Sequence, residues 1–571
     1  MARLVLPLLS LLLLITQPTW ASENQAWIDR LGAVAVQDGG RVMPIDTFAR
    51  RLAVELTGRE HWSANRGPEA FADRHHVELL CDIMVGGRDV LERQLIAIDN
   101  RPFKKLVGLD PERTFFSAME IAGNKAINQL LDDNRAATQA DSRAVATRDQ
   151  RRAIALSSAI NRVAALAGGE PLALVPTGAG KPFLNVGLSH ADPGTEKVVA
   201  ALRSLSAAYS SKAALDEPVA QFAAAINAAG QLDPVTARGV GLELFYDRHD
   251  PWRKTTLLYG LAIVLFGLSR LMWRKPLVTA AIIATGLGIA EHLLGIGLRI
   301  AILQRAPVSN TFESLLWMGL VAIALGVIAQ FWNRSGNYVF GGVCAAFISV
   351  IFAGMVPLAD RTNSLPAVLR SNFWLTIHVL TIVASYGVLA VASVLGHVYL
   401  AKEVLFRRQS TDAPAAPANR SHTLIVQTYR SIQVGLLLLT AGTILGGVWA
   451  ADSWGRFWGW DPKETWALVS IVLYFAILHA RYIRWFQDFG LAAAAVVGFV
   501  AIVWTFYGVN YVMATGLHSY GFGSGGEVWV GAWALGEILF VIACRLRYKP
   551  LEAAAPKPTA VPPSFTAGQP S

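Results

Sequence analysis

Trp454-Gly-Arg-Phe-Trp-Gly-Trp-Asp-Pro-Lys-Glu-Thr-Trp466 places four tryptophans, two glycines and one aspartate between two apolar runs. Tryptophan suits a membrane–water boundary, because its ring is apolar while its N–H needs a polar partner. An interfacial belt accounts for one or two such rings at a helix end. Four in one connection, spaced by glycines that let a flat ligand approach the backbone, read instead as a platform for a large planar aromatic molecule.

Outward from this link the chain is apolar. Of its 571 residues 53% are hydrophobic and 16% charged, and the mean hydropathy is +0.40. These values indicate a polytopic membrane protein with a soluble portion. The net charge of +9 points to nucleic acid only if it clusters on a soluble face. Many Lys and Arg residues instead adjoin apolar segments, as topology signals do, so no nucleic-acid binding is expected. Of the three cysteines, Cys344 and Cys544 lie in or beside apolar segments, which leaves Cys81 with no obvious disulfide partner. Cys81 reads as a small buried core residue, with a redox thiol as the alternative. Without Cys-x-x-Cys-His or Cys-x-x-Cys, the chain reads as neither a c-type cytochrome nor a thiol reductant.

Residues 1–21 have a basic start at Arg3, a leucine-rich core and Ala21 at a plausible cleavage point, the pattern of a secretory signal or an uncleaved anchor. Residues 22–254 are mixed in charge and alanine-rich. Helix-like stretches cover Met119–Leu131 and Arg151–Ala167, and the loop Leu174–Gly194 is rich in Pro and Gly. A mostly helical exported domain follows from this. Nine apolar segments come next, at about 255–273, 277–304, 311–332, 337–358, 373–403, 431–451, 465–486, 490–514 and 526–544. Each is long enough for a hydrocarbon core that takes ~20 helical residues. The expected fold is an all-α polytopic membrane protein of about nine transmembrane helices.

Positive charge orients the spans. With the N-terminal domain outside, the inner connections carry Arg270, Arg274 and Lys275; Arg334; Lys402, Arg407 and Arg408; Arg481 and Arg484; and Arg545, Arg547 and Lys549. The outer connections are poorer in Lys and Arg, and the tryptophan link at 452–466 lies outside, on the periplasmic side of an inner membrane. The connection Gln409–Arg420 and the tail 547–571 are rich in Pro, Ala and Ser and are expected to be disordered.

Topology sorts the eleven histidines. His378 lies near the outer end of the fifth span and His518 in the outer loop after the eighth, both at the level of the tryptophan link. Two imidazoles flanking an aromatic platform suit axial ligation of a haem iron. His479 lies deep in the seventh span toward the inner side, and an intramembrane histidine is a functional candidate. His292, beside Glu291, and His397, near the inner end of span five, are each candidates for a second inner ligand or for a helix–helix hydrogen bond. Glu537 in the last span needs a partner, with a structural hydrogen bond expected. The pair His75-His76 lacks clear metal-ligand spacing and reads as solvated or packed.

At this point a family is discernible. Trp454–Trp466 resembles the tryptophan-rich WWD signature of haem-handling proteins, and its Asp-Pro-Lys-Glu-Thr-Trp continuation resembles the CcsA (ResC) branch of system II cytochrome c maturation. The sister branches CcmC and CcmF follow the aspartate differently. Pro307-Val-Ser-Asn-Thr-Phe-Glu-Ser314 resembles an outer-loop motif of the branch. His378-Val with Ser385-Tyr386, and Gly516-Leu-His-Ser-Tyr-Gly521, resemble the contexts of its two external haem-ligand histidines, and His479 matches its intramembrane histidine. The resemblance covers roughly Leu277 to Leu546. Val36–Phe48 also resembles a segment of some members fused to CcsB.

The resemblance implies haem b export and attachment. Haem enters near His479 as transit haem and moves to an outer site. There His378 and His518 ligate the iron while Trp454, Trp458, Trp460 and Asp461 form the surrounding loop. Apocytochrome c then presents its Cys-x-x-Cys-His thiols, kept reduced by thiol-reducing proteins. Asp461 is expected mainly to cap the following helix. The branch works with a CcsB (ResB) subunit, so a separate CcsB-like partner is expected, or else use of His292 or His397. The competing readings are a haem transporter or chaperone without synthase activity, a b-type electron-transfer cytochrome, and a scaffold.

Overall fold

The computed structural model describes residues 26–58, 74–141, 146–189, 191–272, 274–355, 373–405, 419–513 and 527–548. The signal segment, His518 and the tail beyond residue 548 lie outside them.

The N-terminal domain is mostly helical, but two small sheets, which composition did not reveal, organise it. Strands β1 (Ala35–Asp38) and β2 (Arg41–Pro44) pair as a hairpin around Gly39 and Gly40, whose φ values of 58° and 78° suit a two-residue turn with both centres left-handed. Strands β5 (Leu172–Val175) and β6 (Leu184–Val186) extend it to a four-stranded antiparallel sheet in the order β2-β1-β5-β6, while β3 (Gln94–Ala97) and β4 (Phe115–Ser117) form a separate pair. β5 and β6 occupy part of the Pro/Gly-rich stretch expected to be loop, because short strands carry too few residues to show a period. The helix expected over 119–131 is split at Gly123-Asn124, where Asn124 caps the helix Lys125–Ala140 by accepting from Ile127 N.

One apolar core, including Val36, Met43, Phe48, Leu52, Phe103, Phe116 and Phe222, joins α1 (Ile45–Thr57), α2 (His76–Val85) and the flanking helices. Helix α3 (Pro234–His249) leads from this domain to the membrane helices. On one side it ion-pairs Glu243 with Arg41, and Thr47 Oγ1 donates to Asp247 Oδ2 at 3.0 Å. On the other, His249 Nε2 lies 2.7 Å from Glu291 Oε2. Burial pushes the Asp247 carboxyl up to about 7; Arg50 and the Thr47 bond oppose this, and Glu243 and Asp46 reinforce it.

Among the described residues nine further α-helices follow: α4 (Pro251–Leu268), α5 (Arg274–Leu303), α6 (Thr311–Asn333), α7 (Asn337–Met355), α8 (Phe373–Leu400), α9 (Asn419–Trp454), α10 (Pro462–Tyr482), α11 (Asp488–Val503) and α12 (Glu527–Arg547). Eight of them, α5 to α12, are long and apolar enough to cross a membrane. The segment expected as the first span forms α4, whose polar start, Trp252-Arg-Lys-Thr-Thr256, leaves it outside that set. Helix α9 begins well before the expected 431. The chain is therefore an all-α polytopic membrane protein with an N-terminal domain. Buried apolar clusters join α4 and α5 to α6 and α7, and α6 and α7 in turn to α8 to α12 around Leu389, Leu395, Tyr474 and Val496.

Candidate functional site

His378 lies on α8 opposite Gly442 of α9, with its Nδ1 2.7 Å from the Gly442 carbonyl. A carbonyl only accepts, so Nδ1 carries the proton and, in the neutral ring, Nε2 keeps the lone pair. This outer hydrogen bond is the kind that orients ligating histidines. The ring stacks parallel to Trp449, 6.5 Å away at 6°, and Trp449 meets Trp454 edge-on at 4.6 Å. The approach depends on missing side chains. A Cβ on Gly446 would fall 2.6 Å from His378 Cε1, and one on Gly447 2.5 Å from the Phe457 ring.

The tryptophan link is shorter than its signature. Helix α9 continues through Trp454 and α10 begins at Pro462, leaving 455–461 between them. Asp461 is the N-cap: its Oδ1 accepts from Lys463 N at 3.0 Å, and Pro462 occupies the first helical position, where no N–H is needed. Glu464 completes a capping box and reaches further back. Its Oε2 accepts from Asp461 N at 3.2 Å and Gly459 N at 2.7 Å, and its Oε1 accepts from Arg456 Nη1 at 3.0 Å. These bonds bracket Trp460, which is held at φ 58°, a conformation unfavourable for a residue with a Cβ. Trp460 is 70% exposed and Phe457 50%, although each exposed ring forgoes apolar burial. Trp458 and Trp460 stand at 88° to one another, and Trp466 turns away against Trp504. The rings thus face several directions instead of forming one flat wall.

A π-helical segment, Trp504–Met513, continues α11 toward residue 518. Such local widenings of a helix recur at functional sites. Lys463 Nζ donates to Asn510 Oδ1 at 3.0 Å and to the Phe506 carbonyl at 3.4 Å. Tyr511 OH donates to Thr311 Oγ1 at 3.0 Å. Residues of three separated motifs, Thr311, Lys463 and Asn510-Tyr511, are thereby tied together at the base of the segment leading to His518.

The other candidates are placed differently. His292 is fully buried; its Nε2 faces the Leu316 carbonyl at 3.0 Å and its Nδ1 faces Tyr259 OH at 3.3 Å. His397 faces two acceptors, the Ser393 carbonyl at 2.9 Å from Nδ1 and Glu537 Oε2 at 2.7 Å from Nε2. Both are engaged as helix–helix contacts in this arrangement, and ligation of iron would require breaking one of those bonds. His479 is exposed on α10, in line with Leu468, Val472, Phe475 and Tyr482. The structure thus brings His378, Trp454, Trp458, Trp460 and Asp461 to one end of the bundle and holds His479 and His292 apart from them.

Several residues escaped the sequence reading. Trp449 lies before the signature, and Gly442 and Gly446 are the small-residue pair that brings α9 against α8. Their four-residue spacing was a readable sign of close helix packing. Glu313, within Pro307–Ser314, is buried with Arg299 Nη2 2.5 Å away and Arg305 Nη2 at 3.5 Å, and it also accepts from Ser309 N. Near this cluster Trp252 Nε1 donates to Tyr246 OH, whose oxygen also receives Arg299 Nη1 at 3.3 Å.

Residues 308–518 match the family model described as Cytochrome C assembly protein. The chain is 39% identical over 237 residues to Protein NrfI of Wolinella succinogenes, covering 40% of this chain but 25% of that protein. It is 32% identical over 276 residues to the cytochrome c biogenesis protein CcsA of Gloeobacter violaceus, covering 38% of this chain and 79% of that one. With CcsA of Synechococcus sp. strain WH7803 the identity is 33% over 317 residues, 48% of this chain and 98% of the relative.

Proposed function

The chain belongs to the CcsA family and has a role in cytochrome c biogenesis, and on that premise we propose that it moves haem b across the inner membrane and presents it for attachment. The observation that carries this reading is the His378 tautomer. The Gly442 carbonyl holds the proton on Nδ1, leaving Nε2 with the lone pair that iron ligation needs, beside Trp449 and Trp454. His518, seven residues beyond Tyr511 in the chain, supplies the second axial nitrogen. Trp454, Trp458, Trp460 and Phe457 surround the ring, and Asp461 with Glu464 keeps the link in shape.

The site lies on the periplasmic side with the N-terminal domain. Apocytochrome c brings two reduced thiols, each of which adds across a haem vinyl group, sulfur to one carbon and proton to the other. The protein contributes positioning and exclusion of water more than acid–base chemistry. Thiol-reducing proteins supply the reduced cysteines. His479 holds haem in transit from the inner side. A histidine in an outward-facing apolar stripe is costly against lipid, which supports a CcsB-like subunit covering this face.

The test is an absorption spectrum of the detergent-purified protein before and after dithionite, with His378→Ala and His518→Ala beside it. Sharp reduced bands that collapse in both variants support the external site. Bands unaffected by either substitution overturn it. If the wild type is haem-free, the measurement is repeated with a CcsB-like subunit co-expressed, and continued absence of haem also overturns the reading. Formation of holocytochrome in a host lacking maturation genes separates a synthase from a transporter or chaperone.

A further inference from the structure

We propose that Asp46, His75 and His76 form a binding site for a divalent first-row transition ion in the N-terminal domain. Asp46 stands at the start of α1, and His75 and His76 stand at the N-cap and first residue of α2. Both imidazole Nε2 atoms converge on one carboxylate oxygen. His76 Nε2 is 2.9 Å from Asp46 Oδ1 and His75 Nε2 is 3.9 Å from the same atom. A ligand atom from each of the three residues lies within 4.8 Å of those of the others. Metal bonds of about 2.0–2.2 Å place neighbouring ligand atoms about 3–3.6 Å apart, so small side-chain rotations suffice.

Local structure alone does not explain these residue types. An N-cap is served best by Ser, Thr, Asp or Asn, yet His75 fills it, with Nδ1 accepting from Val77 N at a long 3.3 Å. Its neighbour His76 is buried, where an apolar side chain would avoid the cost of desolvating an imidazole. The other Asp46 oxygen accepts from Arg50 Nη2 at 3.1 Å. That contact orients the carboxylate as outer hydrogen bonds do in metal centres, while its positive charge keeps the ion exchangeable. Coordination asks His75 to leave the Val77 bond so that Nδ1 holds the proton and Nε2 binds. The His75 side chain is 27% exposed, against 2% for His76, so the ion enters past His75 and keeps an open position there.

Two imidazoles and one carboxylate suit Zn(II), Fe(II), Co(II) or Ni(II) over the all-oxygen preference of Mg(II) or Ca(II). A bound ion links the starts of α1 and α2. Through Thr47 and Asp247, α1 is already tied to α3, so occupancy stiffens the edge of the domain that faces the membrane helices.

The experiment uses the full chain in detergent, stripped with a chelator and titrated with zinc chloride and, separately, cobalt chloride. His75→Asn is the informative variant because it keeps an N-cap acceptor and removes a ligand. The wild type is expected to bind one more zinc per chain than this variant, and zinc to raise only the wild-type unfolding temperature. Asp46→Asn is expected to weaken zinc binding by about tenfold or more. Cobalt is expected to give visible bands of a low-coordinate site in the wild type alone. Equal zinc binding by wild type and His75→Asn, or a cobalt spectrum like that of the aqueous ion, overturns the proposal. Comparing the metal-free unfolding temperatures separates lost ligation from a damaged fold.

Discussion

The junction below the N-terminal domain and the tryptophan link both put polar groups among apolar helices, and they treat them in opposite ways. At the junction, Arg299 and Glu313 are buried against each other, and His292 presents both nitrogens to partners. At the link, a backbone carbonyl orients His378 through Nδ1, Trp460 is forced into a left-handed backbone conformation, and its ring is left in the open. A buried, ion-paired group stabilises a single packing, whereas exposed aromatic rings leave surface that a ligand can cover. The difference separates a structural junction from the proposed site, even though both contain histidine and tryptophan.

The strongest way to break this comparison is Glu313→Ala. It leaves Arg299 buried without its carboxylate, and stability in detergent is expected to fall by about 3–5 kcal/mol. A loss below about 1 kcal/mol would show that the buried Arg299–Glu313 pair does not hold the junction. Chemical denaturation followed by tryptophan fluorescence gives the number.

Next comes a pH dependence above the same junction. Folded Asp247 keeps its proton up to about pH 7, while an unfolded aspartate releases it near about pH 4. Between those values the folded state binds more protons, so this group's contribution to stability declines as pH rises from 4 to 7, by about 2 kcal/mol after screening. Asp247→Asn is expected to flatten that slope and to raise stability at pH 8. Thermal unfolding of both proteins across the window checks the sign.

Gly446→Ala sharpens the other side of the comparison. The new Cβ pushes on the His378 ring, at an expected cost of about 1–2 kcal/mol in stability. The larger signal is a loss of haem bands in the purified protein while the fold persists. An unchanged spectrum would detach His378 from the proposed site.

The smallest expected effect is that of the cap. Asp461→Ala is expected to cost about 1 kcal/mol and Asp461→Asn much less, because asparagine caps nearly as well. If Asp461→Asn loses haem as fully as the alanine variant, the carboxylate charge acts on the ligand and capping is not its main role.

Much of this architecture was legible in the chain. The apolar runs from 277 to 544 lie where α5 to α12 form, since a membrane-spanning helix must satisfy its backbone internally and covers its length with apolar side chains. Asp-Pro-Lys-Glu at 461–464 marked a helix start because an N-cap, a proline at the first position and a glutamate at the third act within one turn. The start of α9 was less readable, as its first turns are polar, and so were β5 and β6, too short to show alternation.

What the sequence determined by itself was therefore local or periodic: helix positions, the cap at Asp461, and the chemical character of the link from Trp454 to Trp466. Tertiary structure decided which histidine faces which partner. His378, His292 and His397 lie in similar apolar surroundings, and only the packing of α8 on α9 and α12 and of α5 on α6 gives them Gly442, Leu316 and Glu537 as neighbours or brings Trp449 beside His378. The tautomer of an imidazole, and with it the nitrogen that keeps the lone pair, is set by a hydrogen bond to another helix. That contact spans 64 residues for His378 and Gly442, and no pattern of neighbouring residues encodes it.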